Sequence, residues 1–143
     1  MKFKLFIDPK RDEEIQVYAH AESPLTDTLR RLAEGEAEPL LGWKEKEFIP
    51  LEPEEIYCFF LENNRLYAVT EREQWLVKQR LYQLEPLLPP TFVKLHQSCI
   101  ANLKKVARFD GSLAGTLRVI FKNGRVDYVS RRQLKQVKER LGL

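Results

Sequence analysis

The chain has 143 residues, 43% of them hydrophobic and 31% charged, with 24 Lys+Arg against 21 Asp+Glu. These figures fit one compact domain with a small appendage and exclude a disordered tail, a disulfide-stapled mini-protein and, since no apolar run nears ~20 residues, a membrane-spanning helix. Cys58 and Cys99 stand at unrelated spacing, and no apolar signal core follows the first residues, so a reduced, cytoplasmic setting is expected.

Phe3, Leu5 and Ile7 alternate with polar positions, residues 8–12 read as a turn, and Ile15, Val17 and Ala19 alternate again, predicting a strand–turn–strand unit. Ser23 before Pro24 is a helix N-cap followed by proline at the first helical position. Leu25, Leu29 and Leu32 then carry the apolar stripe of a short helix that Gly35 ends. The acidic stretch that follows sets a boundary: residues 1–37 form an N-terminal extension and residues 38–143 the main domain.

From Leu40 onward strands predominate, in a mainly β fold with short helices. Strands are predicted at 40–43, 47–51, 56–61, 66–70, 75–77, 103–109, 117–122 and 125–129. Asn123-Gly124 joins the last two, a strong hairpin signal. Leu81, Leu84 and Leu88 have helical spacing, which Pro86 should shorten. Ser130 should cap a final helix, with Gln133 completing a capping box and Leu134, Val137 and Leu141 on its apolar face.

Enzyme chemistry finds little support. The glycines form no phosphate cradle, and those at 111 and 115 only relax a loop over residues 110–116. Ser98 near His96 lacks the strand–turn–helix setting of a hydrolytic serine. His96 and Cys99 lie three apart, but a closed zinc site takes four ligands and the remaining His and Cys, His20 and Cys58, are distant, so no metal and no cofactor is expected.

The charge distribution says more. Residues 1–55 hold 8 basic and 14 acidic side chains, residues 56–143 hold 16 and 7, and residues 91–143 alone hold 12 and 3. Such asymmetry marks a polyanion-binding face. Arg131 and Arg132 open the last helix, where the macrodipole disfavours cations, so a phosphate or a guanine edge would account for them better than helix stability does. Asn64 and Arg65, at a predicted hairpin tip, and Lys94, His96 and Gln97, in a polar turn, offer further contacts. Lys104 and Lys105 are candidate phosphate ligands.

The stretch over residues 92–106, with Phe92, Lys94, His96, Ser98 and Asn102 at their spacing, resembles the signature of the LytTR DNA-binding domain of bacterial transcription regulators. The likeness continues through residues 119–124 and 129–132, touches 56–59 and 81–85 upstream, and covers about residues 40–143. It implies an elongated β domain that lays loops into successive major grooves, with contacts at Asn64 and Arg65, at His96 and Gln97, and at Arg131 and Arg132. It also implies a transcription regulator that binds repeated half-sites as a homodimer and is controlled by a partner protein. Residues 1–37 are too few for a phospho-receiver domain and resemble the extension of stand-alone members. The competing readings are a protein-interaction or ligand-sensing module and an RNA-binding protein.

Overall fold

In the computed structural model, residues 1–35, 39–111 and 116–143 are described, and the chain divides into two units, Met1–Glu38 and Pro39–Leu143. In the first, helix α1 (Pro24–Glu34) forms as its punctuation predicts. The Ser23 hydroxyl accepts from Thr26 N–H at 3.3 Å, Ser23 N–H donates to Thr26 Oγ1 at 2.8 Å, and Gly35 ends the helix at φ 71°. No residue of α1 is buried.

The two strands expected before it do not form. Residues 8–11 do turn, with Lys10 N–H donating to Asp8 Oδ1 at 3.0 Å, but residues 1–22 contain no strand and every side chain there is exposed. Alternation identifies a ribbon with a face to bury, and a lone two-stranded ribbon without a third partner is marginal in water.

The second unit holds ten strands among its described residues: β1 (Leu41–Lys44), β2 (Glu47–Pro50), β3 (Cys58–Glu62), β4 (Arg65–Val69), β5 (Gln74–Val77), β6 (Phe92–His96), β7 (Cys99–Asn102), β8 (Val106–Asp110), β9 (Leu117–Phe121) and β10 (Val126–Val129). The first seven form an antiparallel sheet in the order β2-β1-β5-β4-β3-β7-β6, and the last three form a second sheet, β10-β9-β8. The fold is therefore mainly β with short helices, as the sequence predicts.

Neighbouring residues of β3 and β7 go to opposite faces, and both faces are covered. Cys58, Cys99 and Ala101 pack with Val119, Phe121, Val129 and Val137 of the second sheet and helix α3 (Arg131–Arg140). Phe59 and Ile100 pack on the other side with Ile56, Leu66, Trp75 and Leu84. Burial on both faces explains the near-continuous apolar run of residues 56–61. On β1, one strand in from the β2 edge, Gly42 allows a close approach: a Cβ there would lie 2.7 Å from Trp75 Cβ.

One local expectation holds and two need correction. The helix α2 (Leu81–Leu84) gives way at Glu85 to a 3₁₀ turn containing Pro86, as the proline requires. The strand expected from residue 103 starts only at Val106, because the Asn102 side chain accepts from Lys104 N–H and winds Leu103–Lys105 into a 3₁₀ turn. Ser130 makes no side-chain cap on α3. The backbone N–H that a capping box would give to Gln133 goes instead to Leu95 O at 2.9 Å. The loop expected over residues 110–116 lies in part outside the described residues.

Candidate nucleic-acid interface

Two adjacent asparagines make the first loop. Glu62 pairs with Arg65 across a two-residue turn in which Asn63 and Asn64 take φ 51° and 60°. Both φ values are left-handed, a region asparagine tolerates and hairpin turns need. Asn63, Asn64 and Arg65 are all exposed. The second loop is the β6–β7 turn, closed by His96 opposite Cys99, with Gln97 exposed at its tip. The third is the start of α3, where Arg131 and Arg132 are exposed in the first turn.

Main-chain bonds tie these loops together. Leu61 N–H donates to Ser98 O at 2.8 Å, joining the end of β3 to the β6–β7 turn. Ser130 N–H donates to Leu95 O, joining the same turn to α3. The β6–β7 turn is thus the hub: two of the loops leave one end of the seven-stranded sheet, and the third, entering α3 from β10 of the second sheet, is bonded to that same end.

His96 is held inside that hub. Ser98 N–H donates to Nδ1 at 3.2 Å, so Nε2 carries the hydrogen and donates to Asp127 Oδ1 at 2.8 Å. The ring stacks on Tyr128 with centroids 4.7 Å apart, and its side chain is 16% exposed. The same Asp127 oxygen accepts from Tyr128 N–H at 2.8 Å. Asp127 was not legible as a site residue, because only the apposition of the two sheets brings it to His96, 31 residues away.

Beneath this pair lie the thiols. Donor atoms of His96, Cys99 and Asp127 lie within 4.8 Å of one another, and Cys58 hydrogen-bonds to Cys99. This is a donor set of the kind zinc takes, more than the spacing of His96 and Cys99 alone offered. In the arrangement seen, the imidazole turns its hydrogen, not its lone pair, toward Asp127. The bond to Cys58, burial and the nearby Asp127 carboxylate push the Cys99 thiol well above its ordinary value. The bond from Cys99 pulls Cys58 down against its own burial, helped by Arg125.

The remaining predicted contacts are placed differently. Lys94 is half-buried and lines a cavity of about 240 Å³ with Glu85, Pro90, Gln136 and Arg140. Lys104 and Lys105 follow the far end of β7, away from the loop hub, and the Lys105 ammonium sits 5.4 Å over the Tyr57 ring. The structure therefore gathers Asn64, Arg65, His96, Gln97, Arg131 and Arg132 at one end and leaves Lys104 and Lys105 at the other. Arg125, which no sequence pattern marks, lies 4.2 Å over the Phe60 ring with a buried Nε that has no acceptor among the described residues.

A model of the LytTr DNA-binding domain family matches residues 46–142. The chain belongs to the LytTR DNA-binding domain family. Uncharacterized HTH-type transcriptional regulators of Staphylococcus aureus strains MSSA476 and MW2 are each 30% identical over 149 residues, covering 100% of this chain and 99% of the relative. A solved LytTr DNA-binding domain from Bacillus cereus superposes with a TM-score of 0.70 at 20% identity, covering 75% of this chain and all of that one, and so shares the fold. The relatives' names invoke a helix-turn-helix, whereas the α-helices described in this LytTR chain are separated from one another by strands.

Proposed function

We propose that this LytTR protein is a sequence-specific DNA-binding transcription regulator that acts in the cytoplasm, by binding and not by catalysis. Its three loops enter major grooves, its copies occupy repeated half-sites in pairs, and a separate partner protein supplies the signal. The observation that carries this reading is the hub: main-chain bonds hold Asn64, Gln97 and the Arg131–Arg132 pair at one end of a rigid sheet. At α3 the first-turn N–H groups lack a serine cap beside two exposed arginines, a setting that suits a phosphate and a guanine edge. Within the hub His96 positions the turn, and Gln97 beside it is the group free to meet a base.

Selection of bound duplexes from a random pool, followed by salt titration of the best one, tests the proposal. With about four to six phosphates neutralised, log K should fall against log[salt] with a slope of roughly −4 to −5. A slope near zero, or the absence of any enriched sequence, overturns it. Competition by single-stranded RNA that outdoes the duplex would favour the RNA-binding alternative.

A further inference from the structure

Residues 1–22 are built like strands and buried like none. Phe3, Leu5 and Ile7 alternate in sequence with Lys4 and Phe6, as the two faces of an extended strand would require, and Phe3, Phe6 and Tyr18 are 88%, 83% and 93% exposed. Ile15 and Val17 of the second arm are exposed as well. Apart from the turn bonds of Arg11 N–H to Asp8 O and of Lys10 N–H to Asp8 Oδ1, no main-chain group of residues 1–22 has a hydrogen bond to another main-chain group among the described residues. An alternating apolar ribbon with unfilled donors and acceptors is a template for an added strand.

The charges say whose strand it is. The first arm, residues 1–7, carries Lys2 and Lys4 and no acid; the second, residues 12–19, carries Asp12, Glu13 and Glu14 and no base. Under a two-fold axis the first arm of one copy can lie on the second arm of the other, and the opposite charges then meet twice. Pairing of like arms would set lysine against lysine or acid against acid. The area is also right: Phe3, Phe6 and Tyr18 alone offer about 450–750 Å², against the ~800 Å² per partner of a stable interface. The curated relatives span the same length as this chain, so their extent includes this segment.

We infer that residues 1–22 form a self-complementary pairing surface for a second copy of this chain, basic arm on acidic arm. The inference deepens the paired binding proposed above and supplies its surface; the pairing itself needs no DNA.

Sedimentation equilibrium of the full chain without DNA tests it through charge reversal. The parent should be a dimer. K2E/K4E makes both arms acidic and E13K/E14K makes both basic, and each should raise the dimer dissociation constant about tenfold or more. Mixed in equal amounts, the two variants should recover the dimer as a heterodimer, because each arm then meets its opposite. A monomeric parent at its highest soluble concentration, variants that dimerise like the parent, or a mixture that stays monomeric would each overturn the inference; a hairpin closed within one chain predicts the last. Thermal unfolding followed by the buried Trp75 should be unchanged in all three proteins, which shows that the Pro39–Leu143 unit is intact. Duplex binding is measured in parallel. Pairing that fails while the selected duplex is still bound removes this inference alone, and dimers that bind no duplex remove the regulatory reading alone.

Discussion

His96 Nε2–H donates to the Asp127 carboxylate across 2.8 Å, while its other ring nitrogen accepts from Ser98 N–H. Both nitrogens of the imidazole are therefore engaged within the protein, and under the proposed function His96 would act through the shape of the β6–β7 turn. Asp127→Ala removes the acceptor for both His96 and Tyr128 N–H and should cost about 1–3 kcal/mol of stability. Urea unfolding should show that loss, and the duplex affinity should fall with it. Gln97→Ala should leave unfolding unchanged and alter base preference only. If Asp127→Ala changes binding without changing stability, Asp127 acts at the DNA and not on the turn.

Arg132 stands exposed in the first turn of α3, where the macrodipole gives a cation no advantage. Arg132→Ala should weaken the selected duplex by about 1–3 kcal/mol and flatten preference at one base position, with no change in melting temperature. The comparison duplex is a scrambled one. Equal losses on both would make Arg132 a phosphate anchor without a part in specificity.

Lys104 follows the far end of β7 from these loops and tests how far the bound duplex extends. Lys104→Ala should weaken all sequences alike and reduce the salt slope by about one. An unchanged slope would confine the interface to the loop end of the sheet.

Asn102 is the one fully buried polar side chain among the described residues, 2% exposed, and both ends of its amide are engaged. Its Nδ2 donates to Ile56 O at 3.0 Å and its Oδ1 accepts from Lys104 N–H at 3.1 Å, which ties β7 to the chain entering β3. Asn102→Ala would strand a buried carbonyl and should cost about 1–3 kcal/mol in urea unfolding. Asn102→Asp should cost more, since a carboxylate would then face that carbonyl. A loss within about 0.5 kcal/mol for the alanine variant would show that the carbonyl finds another donor.

Gly42 faces Trp75 Cβ at 2.7 Å and Leu51 Cδ1 at 2.9 Å, counted from where a Cβ would stand. Gly42→Ala should destabilise by about 1–3 kcal/mol through overpacking, with the loss read by chemical denaturation followed at Trp75. Because β1 sits at the opposite side of the sheet from the β6–β7 turn, base preference should not change. Altered base preference would mean that the sheet transmits strain to the loops.

Local signals read well from the sequence wherever one residue carried the physics. Ser23-Pro24 and Gly35 bound α1, Asn123-Gly124 turns β9 into β10, and Pro86 cuts α2 short. Signals that needed a distant partner failed. The apolar alternation of residues 3–7 predicts a strand that does not form, because alternation is silent about whether a neighbour exists to pair with it. Ser130 and Gln133 had the spacing of a capping box, but Leu95 O claims the N–H the box requires. The loops of the candidate site were legible from polar turns and misplaced cations. Asp127 and Arg125 were not, because the second sheet delivers them to the first across long stretches of chain.

The bonds that fasten the three loops, Leu61 N–H to Ser98 O and Ser130 N–H to Leu95 O, run from backbone to backbone. Such a frame is indifferent to the letters written on it. Gln97, Arg131 and Arg132 can each be exchanged without loosening the geometry that presents them, whereas Asn64 is held to its type by its left-handed backbone; under the proposed function, a descendant of this chain would acquire a new operator by changing a few exposed side chains while keeping its scaffold.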